Sequence, residues 1–240
     1  MSTKEEMLDR VRNALGRAQS SSAIVPLSTF DMTGVMPPLA PQDYQSKFEA
    51  EWEKVSGIAY RVEAMNQLEA ILRKIMMLLP IHSVVVSRNP LLGQLKIAER
   101  LEAAGKVVAS WADESVVRGT RSLADFNKSA FDAGVGITGV DYVLAETGSL
   151  VLSAATEGVQ IASLAPPIHI ALYRRSQLVG SLDEVLARLP ISASKDESSP
   201  CRSLVFVTGT SRTADIEQIL IHGVHGPRET HAILVEDCCH

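Results

Sequence analysis

Ser83-Val84-Val85-Val86, Asn89-Pro90 and Lys106-Val107-Val108-Ala109 decide the fold. The first is a β-branched run of the kind that fills a buried strand. Asn89 then offers an N-cap with Pro90 at the first helical position, and apolar residues continue to Leu101 before Gly105 closes the helix. The second short apolar run follows at once. Strand, helix and strand at this spacing form a βαβ unit, whose crossover forces the two strands to pair in parallel.

Working outward, the same rhythm extends upstream. Leu68, Ile71, Leu72, Ile75, Met76 and Leu79 mark one face of a helix, and Ile58, Tyr60 and Val62 alternate as a strand does. Tyr44, Phe48, Trp52 and Val55 mark a helix ended by Gly57. The expected fold class is therefore α/β, with a largely parallel sheet between helices. Further upstream, Thr3-Lys4-Glu5-Glu6 fits a capping box, and Met7, Leu8, Val11, Ala14 and Leu15 follow at helical spacing until Gly16. From Gln19 to Pro41 the chain carries Ser20, Ser21, Ser22, Pro26, Pro37, Pro38 and Pro41, which suits an extended linker. Residues 1–41 thus read as an N-terminal amphipathic helical arm and linker, and residues 42–240 as the main domain. The arm's apolar stripe has two possible berths, the same chain or a partner.

Downstream, Tyr142-Val143-Leu144-Ala145 and Leu150-Val151-Leu152 flank Glu146-Thr147-Gly148-Ser149 as a hairpin-like excursion. Ile168 to Leu172 is a further strand, Ser181-Leu182-Asp183-Glu184 a capping box for a helix through Leu189, and Ser192 to Pro200 a polar loop. Leu204-Val205-Phe206-Val207 resumes the buried-strand pattern. It runs into Thr208-Gly209-Thr210-Ser211-Arg212-Thr213-Ala214-Asp215-Ile216-Glu217, read as strand, turn and helix.

The bulk composition bounds the function. At 240 residues the chain lies below the roughly 250–300 at which single cores split, and 46% hydrophobic with 21% charged residues is ordinary globular composition. A net charge of −5 without a basic stripe argues against nucleic-acid binding. No apolar run suggests a signal peptide or membrane span, and three cysteines, two of them adjacent in the Cys238-Cys239-His240 tail, suit a reducing, cytoplasmic setting. Three thiols are also too few for a cubane iron–sulfur cluster, which takes about four.

Candidate chemistry gathers in the second half. Gly209 after a buried strand allows close backbone approach, Ser211 and Thr213 are suited to capping a following helix, and Arg212 adds a permanent cation; with Asp215 nearby, the segment suits an anion. It equally fits an ordinary capped helix start with Arg212 in solvent. It is not a Walker loop, because the lysine and spacing are missing. Gly223-Val224-His225-Gly226-Pro227-Arg228-Glu229 holds His225 between glycines on a loop, where an imidazole can exchange protons near neutral pH and Glu229 can orient it. Pro166-Pro167-Ile168-His169 presents His169 at the start of a strand, for a ligand or for a structural bond. Glu146, Thr147 and Gly148 offer a carboxylate, a hydroxyl and a turn for a polar substrate, or simply a turn. His169, His225 and Glu146 lack any local metal-ligand spacing, so no metal is expected.

These four motifs, in this order, resemble the lactate utilization protein C family, the YkgG-like LUD-domain proteins, over about Gly139 to Val235. The resemblance implies a three-layer α/β/α sandwich of the NagB/RpiA/CoA-transferase-like group. It further implies a bacterial system oxidising L-lactate to pyruvate with iron–sulfur partner proteins, so that this chain carries no cofactor of its own. The family typically has proline where this chain has Thr210. Within that system the expected ligand is a small carboxylate, held by Arg212, with His225 as acid and base, or else a partner protein. Two other classes stay open: a regulatory or assembly protein that senses a metabolite, and a transferase or isomerase acting on a phosphorylated or CoA-linked substrate.

Overall fold

A computed structural model describes residues 4–14, 39–77, 81–111, 123–188, 203–214, 220–223 and 225–237. Helix α1 (Lys4–Ala14) belongs to a separate unit, with Met7, Leu8 and Val11 exposed. The second unit begins at Leu39. The expected linker and the Cys238-Cys239-His240 tail lie outside the described residues.

In the second unit, α2 (Tyr44–Lys54) leads into β1 (Ile58–Val62), then α3 (Met65–Met77) and β2 (Ser83–Val86). Next come α4 (Pro90–Gln94), α5 (Ile97–Ala103), β3 (Val107–Ser110), α6 (Leu123–Asp132) and β4 (Val135–Thr138). A smaller excursion holds β5 (Tyr142–Leu144), β6 (Ser149–Ser153) and the short α7 (Ala154–Glu157), before β7 (Ile168–Tyr173), β8 (Leu178–Val179) and α8 (Leu182–Arg188). After these, β9 (Leu204–Val207), β10 (Arg212–Ala214), β11 (Leu220–His222) and β12 (Glu229–Val235) complete the described α-helices and strands.

The main sheet has the order β1-β12-β7-β4-β2-β3, and every neighbouring pair is parallel. Alternation along the strands separates two faces. Ile168, Ile170, Leu172, Ile233, Val84 and Val86 meet Leu68, Leu72, Ile75, Leu92 and Leu101 from α3, α4 and α5. On the opposite face Ala171, Tyr173, Ala232 and Leu234 pack against Phe48 and Trp52 of α2, while Val85 and Ala109 meet Phe126 and Ala130 of α6. The three-layer α/β/α arrangement is the expected one. The excursion is larger than a hairpin: β5 and β6 pair antiparallel and join β8 and β9 in a four-stranded sheet.

Two local readings are corrected. The helix expected from Pro90 to Leu101 is broken at Lys96, which takes a left-handed φ of 50°. At about 100° per residue, a continuous helix would put Ile97 and Leu101 roughly 150° round from Leu91, Leu92 and Leu95. The break resets the phase, and all five side chains reach the core. The helix expected after Gly209 is instead β10, paired antiparallel with β11 through Arg212–His222 and Thr213–Ile221. Ser211 N donates to Pro227 O at 2.9 Å and Ser211 O accepts from Gly223 N at 3.0 Å, so a neighbouring chain segment takes the backbone groups that a helix would use. Thr213 therefore lies in a strand and caps no helix, and Asp215 is outside the described residues.

Candidate functional site

The four sequence motifs form one connected face. Ser149 Oγ and Thr208 Oγ1 share a hydrogen bond of 2.7 Å, and Thr147 Oγ1 lies 2.8 Å from Ser149 Oγ. Thr210 N donates to Val55 O at 3.3 Å, beyond the end of α2. Ser211 bonds Pro227 as above, and Pro167 O accepts from Arg228 N at 2.8 Å and Glu229 N at 3.2 Å. Arg212, an exposed side chain, donates through Nη2 to Ser56 Oγ. The start of β10, which carries Arg212, and the loop carrying His225 are thus neighbours.

Tight backbone contacts fix this face. Gly148, at φ +61°, has no room for a Cβ, which would sit 2.5 Å from Trp52 N. Gly209, at φ +79°, would place a Cβ 2.3 Å from Val55 O. Gly209→Ala is expected to cost about 1–2 kcal/mol from the left-handed backbone alone, read by urea unfolding. A variant as stable as the parent would show that this turn is not pressed against Val55.

The geometry changes what several candidates do. Ser56, Pro167 and Glu229 all lie at or just before strand starts, so the face occupies the amino edge of the parallel sheet. Ligands in open α/β sheets ordinarily bind the carboxyl edge. Glu146 spends Oε1 on Leu182 N, 2.7 Å away, at the first turn of α8. His169 is fully buried and shares a 2.8 Å hydrogen bond between Nε2 and Thr138 Oγ1. Burial, helped by nearby His231, pushes its pKa down to about 3, so the ring is neutral. Instead of orienting His225, Glu229 places Oε2 3.5 Å from Nε2 of buried His231, which stacks on Tyr60 at 5.9 Å. His225 remains exposed on its loop. Among the described residues no three His, Cys, Asp or Glu side chains gather as metal ligands.

A second arrangement, unforeseen in the sequence, occupies the carboxyl edge. Glu157 closes α7 and is 0% exposed. Its Oε2 accepts from Ser87 Oγ at 2.5 Å and Gly139 N at 3.2 Å, and its Oε1 accepts from Asn89 Nδ2. Burial drives its pKa up to about 7; the three hydrogen bonds oppose the rise and the negative charge of Asp141 adds to it. Asp141 is itself raised by burial, against hydrogen bonds from Thr156 and Ser153. The signal available in the sequence was isolation: Glu157 is the only Asp, Glu, Lys or Arg between Glu146 and Arg174.

Fold and site together define a three-layer α/β/α protein with a polar face at the amino edge and a buried carboxyl at the carboxyl edge. Residues 45–235 match the LUD domain, and the chain belongs to that family. It is similar to "Lactate utilization protein C" of Halalkalibacterium halodurans, 39% identical over 110 residues, 46% of this chain and 47% of that protein. That alignment thus spans about half the length of the relative. It is also similar, at 28% identity over 99% of this chain and 100% of the other, to "Uncharacterized protein YkgG" of Escherichia coli K12. A solved DUF162 family protein from Deinococcus radiodurans has the same fold, with a TM-score of 0.53 and 23% identity, covering 82% of this chain and 99% of that one. The family resemblance carried by the four motifs is borne out.

Proposed function

We propose that this chain serves lactate utilization as a component of a system oxidising L-lactate to pyruvate, whose iron–sulfur clusters reside on partner proteins. The names of the relatives support the metabolic role, and the three cysteines of the chain favour clusters held elsewhere. The observation that carries the chain's part is the amino-edge face, where four separate motifs are bonded into one surface bearing exposed Arg212, His225 and Arg228. Of the two occupants that the sequence allows there, a partner fits better than a small acid. An exposed cation in water gives a small anion little affinity, whereas a protein surface adds area around it.

The test uses the tagged full chain in a bacterium growing on L-lactate. Iron–sulfur proteins should co-purify, and the recovered assembly should oxidise L-lactate. Arg212→Ala combined with Arg228→Ala should reduce partner recovery about tenfold or more, equivalent to about 1.4 kcal/mol. Recovery should fall further as salt rises, because exposed charges are screened. Undiminished recovery with the double variant would remove the docking role, and no lactate oxidation in any fraction would remove the system assignment.

A further inference from the structure

The order of the main sheet makes a crevice between β2 and β4. From β2 the chain crosses to β3 at one edge, while from β4 it leaves in the other direction, toward the small sheet and β7. The loops leaving the two carboxyl ends therefore part, the feature that opens ligand sites in α/β sheets. Ser87, Arg88 and Asn89 follow β2, Gly139 follows β4, and Glu157 fills the space between, its carboxylate bonded to Ser87, Asn89 and Gly139 and its backbone oxygen accepting from Arg88 N at 3.2 Å. Beside this knot lies a cavity of about 270 Å³, whose lining includes Ser87, Arg88, Asn89, Glu99, Ser110 and Trp111.

The packing holds this region closely. A Cβ on Gly139 would fall 2.1 Å from Asn89 Cγ, and one on Gly158, at φ +75°, would fall 2.3 Å from Trp111 Cδ1. Arg88 lines the cavity and donates through Nη2 to Ala155 O at 2.9 Å, one of the five donors a guanidinium carries. Ser87 and Asn89 are nearly buried, touch Glu157 and line the cavity. They link the hidden carboxyl to the open space.

We propose that this crevice binds a small carboxylate, with Arg88 as its cation, Ser87 and Asn89 as its hydrogen-bonding groups, and Glu157 taking up a proton as the anion enters. The charge acting on Glu157 is that of Asp141 from the β4–β5 connection, while Arg88 after β2 and Glu99 of α5, which is exposed and screened by water, line the cavity beside it. With Glu157 ionised, a second buried negative charge stands beside that of Asp141, and an incoming anion meets repulsion. With Glu157 neutral, Oε2 carries the proton and donates it to Ser87 Oγ, Oε1 still accepts from Asn89, and Arg88 is left for the ligand. A group whose pKa already sits at about 7 is poised to change state on binding near neutral pH. The site lies at the sheet edge opposite the docking face, and its existence does not require that lactate be the acid.

The experiment is calorimetry on the purified full chain with L-lactate, pyruvate and propionate as probes, in two buffers of different protonation enthalpy. At least one acid should bind with uptake of up to about one proton at pH 7.5, and affinity should fall toward about tenfold per pH unit above pH 7. Glu157→Gln places an amide where the protonated carboxyl stands, so it should bind without proton uptake and without that pH dependence. Arg88→Ala should weaken binding about tenfold or more at every pH, and as a partly exposed position it tests the site even if Glu157→Gln does not fold. Absence of binding by all three acids overturns the proposal. So does wild-type binding without proton uptake, uptake that persists in Glu157→Gln, or Arg88→Ala binding as tightly as the parent. None of these readouts involves a partner, so they stand apart from the docking test.

Discussion

Trp52→Ala is expected to lower the unfolding free energy by about 3–5 kcal/mol, the range for removing a large aromatic side chain from a packed core. Trp52 is 0% exposed, stacks on Phe48 with ring centroids 5.7 Å apart at 23°, and donates Nε1 to Ile58 O at 3.3 Å. It also supports the amino-edge face. A Cβ on Gly57 would lie 2.2 Å from the indole, so the Ser56–Gly57 turn that meets Arg212 is laid directly on the ring. Gly148 packs on the backbone of Trp52. The truncation should therefore weaken partner recovery as well as stability, while Trp52→Phe, which keeps an aromatic ring and loses the hydrogen bond, should fall between. Urea unfolding followed by the fluorescence of Trp111, the other tryptophan, gives the measurement. A loss under about 1 kcal/mol would mean that the core closes over the gap and that the ring is not the support of this face.

How far the sequence disclosed this molecule depended on whether the deciding interaction was local. The parallel core was legible because β-branched runs, the Asn89-Pro90 cap and Gly105 are local signals, and Asn89 Oδ1 does accept from Leu91 N at 3.0 Å. The break at Lys96 was hidden because it serves burial of two leucine and isoleucine sets against a sheet the local pattern does not contain. Thr208 to Glu217 was misread for a related reason. Gly, Thr and Ser before an apolar residue suit a helix cap and a β-turn equally, and the choice was made by Pro227 and Gly223, which arrive from farther along the chain.

The candidate site divides in the same way. The order of the four motifs in the chain was enough to name the segments that meet. Their position at the amino edge was not readable, because the edge is set by strand direction in the assembled sheet. Glu157 receives its side-chain donors from Ser87 and Asn89, 70 and 68 residues away, and its immediate neighbours, Thr156 and Gly158, look like an ordinary helix end. Its isolation among apolar and small residues was visible, but isolation alone does not say whether a carboxylate faces water or the interior.

Glu157 and His169 are expected to give this protein opposing pH dependences of stability that single substitutions separate. For Glu157 the folded pKa, about 7, lies above the usual 4.5, so between those values the folded chain keeps a proton that the unfolded chain has released. Its contribution to stability therefore falls as pH rises through that window, by about 1.4 kcal/mol per unit. For His169 the folded pKa, about 3, lies below the usual 6.5, so the unfolded chain binds the extra proton. Its contribution rises with pH over its own window at the same limiting slope, and His231, lowered chiefly by burial, has the same sign. Between about pH 4.5 and 6.5 Glu157 and His169 nearly cancel. Glu157→Gln should then make the stability curve steeper upward relative to the parent, toward the limiting slope of about 1.4 kcal/mol per unit. His169→Gln should tilt it downward by a comparable amount. Chemical denaturation at several pH values decides the matter. A parallel curve for Glu157→Gln would mean that its carboxyl ionises as freely in the folded chain as in water, and the crevice would then lack the proton-binding group on which its coupling to an anion depends.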